Sequence, residues 1–176
     1  MDHKPATYVP ATQLDFLAPE TCFATEVGLA SDIWALACVF FEIKAGYAPF
    51  EDWLGTTDTT LKEMTRVLGK FPEQWWNAWE GRSQWFEESG EVKQDLDAKH
   101  AFKLTSIRDS LHEIGRDVWH RAKDVDYDML QKLRTPLMEV EIKLLGDLLE
   151  NMFRYSPQER LMIAEVVRHP WFRYKQ

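Results

Sequence analysis

Cysteine is scarce. Cys22 and Cys38 are the only two in the 176 residues, and they form no Cys-x-x-Cys pair, which argues against a disulfide framework and a thiolate zinc site. Both are expected as buried thiols of an intracellular protein, cytoplasmic or nuclear. Long apolar runs are also missing. Ile33 to Phe41 is the longest, about half of the ~20 residues that cross a bilayer, and it is closed by Asp32 and Glu42, so no membrane partner is expected. The first residues, MDHKPATYVP, hold no apolar stretch followed by a small-residue cleavage site, so no secretory signal is expected. Clustered Lys and Arg are absent, and 21 basic residues face 29 acidic ones for a net charge of −8. That balance disfavours nucleic acid and favours a basic partner. Apolar and polar residues almost never alternate with period two, so the expected class is mainly α.

What is present can build a core. With 45% hydrophobic and 13% aromatic residues, one domain over residues 1–176 is expected. Pro5, Pro10, Pro19 and Gly28 break residues 1–30 into short packed pieces. Ser31 then reads as an N-cap, with Asp32 at the positive end of a helix over 31–45 that closes before Gly46. Its apolar residues cover nearly the whole circumference, which places it at the centre of the fold. A second helix is predicted from Asp58 to Leu68, with Leu61, Met64 and Leu68 on one face and Gly69 ending it. Residues 70–135 read as an insertion packed by Trp75, Trp76, Trp79 and Trp85, and within it a helix is predicted from Ser106 to Ala122. Over 140–176, helices are predicted from Val140 to Met152 and from Met162 to Val167, the last ending at His169-Pro170.

Four stretches stand in a telling order: Ala18-Pro19-Glu20, SDIWALACVFFEI from Ser31, Ser156-Pro157-Gln158-Glu159-Arg160, and RHPWF from Arg168. Together they resemble the C-terminal lobe of a eukaryotic protein kinase: the end of the activation segment, the central helix of the large lobe, and the arginine-bearing segment before the last helix. VLGKFPEQWWNAW and GRSQWF resemble the insertion of the SR-protein-kinase-like serine/threonine kinases, many of them fungal. The large-lobe resemblance covers residues 11–176 apart from the middle insertion. It implies a mainly α, kinase-like large lobe with the small N-terminal lobe missing: the end of the activation segment in 1–30, the central helix in 31–45, the insertion in 70–135 and the closing helices in 140–176.

The resemblance also gives roles to two acids. Glu20 is implied to form a buried ion pair with Arg160, and Asp32 to accept hydrogen bonds from the backbone of a catalytic loop. For isolated acids the plainer alternative is a helix-capping Asp32 and a solvated Glu20; the companion motifs favour the anchors. Phosphoryl transfer needs a Gly-rich loop, a strand lysine, a catalytic aspartate and a metal-binding aspartate, which in kinases precede the Ala-Pro-Glu motif. Only residues 1–17 precede it here. The family implies ATP and magnesium for the full-length enzyme; no catalytic, cofactor-binding or metal residue is expected in this chain, which is expected to be inactive alone.

Several lookalikes are set aside. Asp15-Phe16-Leu17 abuts Ala18 and leaves no room for an activation segment, so Asp15 reads as a surface acid. His120-Arg121 with Asp124 follows the motif that a catalytic His-Arg-Asp should precede. DVDYDMLQKLRT from Asp124 has Met129 where a calcium loop needs glycine and Thr135 where it needs glutamate. Inside the matched region, Gln13 stands where serine/threonine kinases usually carry threonine, with Thr12 one place off, while Phe16 matches the usual aromatic. A second reading, from a different class, is a non-catalytic module that docks a basic, Arg-rich protein or peptide on Glu87, Glu88, Glu91, Asp95 and Asp97, with Glu73 and Glu80 nearby. A solvated charged loop is the plain alternative.

Overall fold

Residues Leu29–Ala45 form the longest helix, here α2, in a computed structural model that describes residues 13–23, 27–51, 55–94, 103–115 and 135–174. Ala and Leu at positions 35–37 favour helix, and Gly46, in the left-handed region at φ 76°, ends it by donating its N–H to the Glu42 carbonyl at 2.7 Å. The start differs from the sequence reading. Gly28 is the N-cap, and Ser31 is the third helical residue, accepting the Gly28 N–H at 3.4 Å while donating its own proton to Glu20. The helix begins earlier because Ser31 is drawn to a carboxylate outside the helix as well as to its own first turn. Asp32 consequently lies in the first turn and caps nothing.

Around α2 the fold is mainly helical, and among the described residues the only β pairing is an isolated bridge, Phe86 with Val92. Ile33, Trp34, Ala37, Cys38 and Phe41 of α2 are buried. Trp34 stacks on Phe50 and meets the edge of Phe153, with centroids 5.3 and 5.0 Å away. The expected all-round burial is not complete, however. Leu29 and Ile43 are 85% and 63% exposed, with Val39 between them along the helix. Among the described residues, therefore, α2 is central on one side and open on the other.

The second long helix, α3, spans Thr57–Leu68. Thr56 caps it, accepting from the Thr59 N–H at 3.2 Å while the Thr59 hydroxyl accepts from the Thr56 N–H. Leu61, Met64 and Val67 are buried, and Leu68 is half-buried. The Tyr155 hydroxyl shares its proton between the Gly69 and Met64 carbonyls at 2.8 and 3.1 Å and so ties the segment around Tyr155 to the end of α3.

The insertion packs by its aromatics: Phe71, Trp76 of α4 (Glu73–Ala78), Trp79 and Phe86 are all buried. Its tie to α3 is specific. The Trp79 indole donates to Asp58 at 2.7 Å, and the same carboxylate lies over Gly81, where a Cβ would meet it at 2.7 Å. Helix α5 covers Ile107–Glu113 under a Ser106 and Asp109 capping box. The predicted run to Ala122 stops short because Ile114 turns extended and Gly115 takes φ 77°. Val118 and the rest of that prediction lie outside the described residues.

Helix α6, Glu139–Met152, packs against α2 and α5. Arg108 of α5 lies on Gly146 and grips Glu150 through two bonds of 2.8 and 2.7 Å, and Lys44 of α2 pairs with the buried Glu141 at 2.5 Å. The short α7, Ile163–Val166, and a 3-10 turn over Pro170–Arg173 close the chain after Pro170 halts the helix. No helix among the described residues is long and apolar enough to cross a membrane.

Candidate functional site

The strongest constellation joins both ends of the chain. Pro19 opens a four-residue helix, α1 (Pro19–Cys22), and Glu20 is its second residue, in the first turn. Pro157 likewise opens a 3-10 turn over Pro157–Glu159, and Arg160 follows it in extended conformation with its side chain directed into the core. Arg160 donates from Nη1 and Nη2 to the two oxygens of Glu20, at 2.7 and 2.6 Å. Its remaining donors reach the carbonyls of Ala30 at 2.8 Å, Arg154 at 2.8 Å and Tyr155 at 3.2 Å. A guanidinium has five N–H donors, and all five are used. The Trp34 ring covers it at 5.0 Å.

Burial sets the electrostatics. Glu20 is 1% exposed and the Arg160 side chain 0%. Burial alone would raise the Glu20 pKa, but hydrogen bonds and charge from Arg160, joined by the Ser31 hydroxyl at 2.7 Å, hold it below the usual carboxylate range. Nearby Cys22 moves the other way: burial first, then the Glu20 charge, pushes its thiol up to about 12. Burial also raises the Cys38 thiol and the Tyr155 hydroxyl. None of the three is a ready nucleophile at neutral pH. The clamp is consequently a mechanical device: one ion pair binds α1, the lead-in to α2 and the segment before α7 into one unit.

The remaining sequence candidates separate. Asp32 is exposed on α2 and has no hydrogen-bond or ion-pair partner among the described residues. Glu87, Glu88 and Glu91 come together on one exposed turn closed by Gly90 at φ 90°. Within it Glu88 pairs with Arg82 at 3.1 Å and Glu91 accepts from the Ser89 hydroxyl at 3.3 Å. Asp95, Asp97, the His120-Arg121 stretch and most of the acidic stretch from Asp124 lie outside the described residues. Gln13 is exposed at the start of a 3-10 turn, Leu14–Phe16, that carries Asp15; Thr12 is not described. Among the described residues no group of three His, Cys, Asp or Glu side chains is placed to hold a metal ion. Sequence reasoning missed Ser31 as the third member of the clamp. Its place directly before Asp32 at a helix start pointed to capping instead.

Comparison with known proteins bears on the same motifs. The protein kinase domain family matches residues 1–172. The chain is 25% identical over 173 residues to the dual specificity protein kinase CLK2 of Mus musculus, covering 97% of this chain and 29% of that protein. It is 25% identical over 169 residues to the serine/threonine-protein kinase AFC2 of Arabidopsis thaliana, covering 94% and 34%, and 25% identical over 162 residues to the dual specificity protein kinase lkh1 of Schizosaccharomyces pombe, covering 89% and 20%. The chain thus spans about a third or less of the length of these relatives. Matched along nearly its whole length, and resembling the SR-protein-kinase-like group within it, this chain belongs to the protein kinase domain family.

Proposed function

We propose that this chain is the large lobe of a serine/threonine protein kinase, holding the protein substrate while residues beyond those matched here bind ATP and magnesium. The observation that carries the reading is the Glu20–Arg160 clamp, which ties the segment ending in Ala18-Pro19-Glu20 to the helical core. That segment precedes α2 and has Gln13, Asp15 and Phe16 within it, so a fixed Glu20 fixes their register. Positioning and electrostatics make up most of phosphoryl-transfer catalysis, and this chain contributes positioning. By itself it transfers no phosphate, since its sequence offers nothing to hold the nucleotide. Transfer of a γ-labelled phosphate to a serine-bearing protein tests this. A longer product in which a Gly-rich loop, a strand lysine and a catalytic loop precede these residues is expected to transfer the label, and the 176-residue chain is not. Transfer by the chain alone would overturn the reading.

The acidic turn supports a second reading, a module docking a basic peptide, because Glu87, Glu88 and Glu91 share one exposed turn. An Arg-Ser repeat peptide should then be retained at low salt and lost when the three are changed to glutamine. No retention at low salt sinks it.

A further inference from the structure

Beside the clamp lies a cavity of about 780 Å³, within the size range of ligand sites. Three separate segments wall it: the lead-in and first turn of α2, the start of α4, and the turn preceding Arg160. Among the described residues, none of the lining side chains is ionisable, in a chain where 28% of residues are charged. Net charge is therefore not what selects an occupant.

The apolar part of the lining is formed by Val27, Leu29, Ala30, Pro72, Trp75 and Pro157. Leu29 is 85% exposed at the first position of α2, so its side chain contributes little to the core and is free to meet a ligand. The walls are held from behind. Arg160 binds the Ala30 carbonyl, Ser31 is tied to Glu20, and Trp75 stacks on Phe23 at 5.2 Å. A preformed wall loses little freedom on binding, which favours affinity.

The polar part of the lining includes two exposed primary amides. Gln74 has no hydrogen-bond partner among the described residues. Gln158 accepts from the Ser156 hydroxyl at 3.0 Å, which fixes its carbonyl and leaves its NH₂ group to donate elsewhere. A primary amide both donates and accepts, as a peptide main chain does, and neither carries charge.

We propose that this cavity docks an extended, uncharged peptide segment of a partner protein. One apolar side chain sits among Leu29, Pro72 and Trp75, and the peptide main chain bonds to Gln74 and Gln158. The kinase reading enters only in the choice of a protein over a small metabolite, because the cavity adjoins the segment proposed to hold protein substrate. The site is distinct from the acidic turn, so the two modes of docking differ in their response to salt.

The test uses the ¹⁵N-labelled 176-residue chain and an end-capped peptide, Gly-Ser-Leu-Pro-Leu-Ser-Gly, without nucleotide, so its outcome is independent of phosphoryl transfer. Saturable shifts are expected at the Gln74 and Gln158 side-chain amides and the Trp75 indole, unchanged as salt rises from about 50 to about 500 mM. Leu29→Glu and Gln74→Glu, both at exposed positions, should each weaken binding by about tenfold while leaving resonances remote from the cavity in place. No shift up to about 1 mM peptide would overturn the proposal, as would undiminished binding by both variants. Larger shifts from dodecylphosphocholine monomers than from the peptide would assign the cavity to a lipid tail and overturn it equally.

Discussion

Replacing Glu20 by glutamine changes one atom and should cost more than almost any surface substitution in the chain. The carboxylate is 1% exposed and receives two Arg160 donors at 2.7 and 2.6 Å plus the Ser31 hydroxyl at 2.7 Å. Glutamine keeps the volume but removes the charge and offers an NH₂ group where an acceptor is needed. The Arg160 charge is then buried without a counterion, and breaking such a pair costs about 3–5 kcal/mol. For a domain stable by about 5–15 kcal/mol, that is a large share of the total. Arg160→Lys should fall in the same range, because an ammonium has three donors and cannot reach Glu20 together with the Ala30, Arg154 and Tyr155 carbonyls. Joint replacement of both by leucine should cost less than the sum of Glu20→Leu and Arg160→Leu made singly, since it removes both charges together. Urea unfolding followed by tryptophan fluorescence measures each of these variants against the native chain, with Glu88→Gln at the exposed Arg82 pair as the control, expected at about 0–1 kcal/mol. A Glu20→Gln cost no larger than that control would refute the clamp.

Acid should weaken the same clamp. The folded Glu20 pKa lies below its ordinary 4.5, so between those values the unfolded chain binds more protons, and stability falls as pH drops through that window. Urea midpoints at about pH 6 and pH 4 should show the loss in the native chain, and a smaller loss in Glu20→Gln. Tyr155→Phe removes the hydroxyl that donates to the Gly69 and Met64 carbonyls and should cost about 1–2 kcal/mol in the urea assay. With its pKa near 12, Cys22 should resist iodoacetamide at pH 8 in the folded chain, as should buried Cys38, and both should react once unfolded; mass spectrometry reads the difference. The open stripe of Leu29, Val39 and Ile43 should bind a hydrophobic dye, and Ile43→Lys should reduce the signal without lowering the melting temperature.

Much of the fold was legible because its signals are local. Apolar spacing and the glycines after the helices located α3 and the end of α2, and Pro170 located the close of the chain. The pairing of Glu20 with Arg160 was implied by the family resemblance that the motifs carry, since no local pattern links residues 140 positions apart. Three features escaped the sequence. The α2 start was misplaced because serine before aspartate reads as a cap, whereas a tertiary partner drew Ser31 into the helix. The early stop of α5 depends on the left-handed turn at Gly115, and an isolated glycine within a helical pattern is compatible with helix. The cavity is invisible in sequence because three distant segments build it, each ordinary by itself.

In the kinase proposed above, these residues position substrate and leave nucleotide binding to others. Titration calorimetry of magnesium-ATP into the folded 176-residue chain addresses that most directly. No saturable heat up to about 1 mM nucleotide is the predicted result. A saturable isotherm abolished by a substitution within this chain would place an ATP site in these residues and contradict that division of roles.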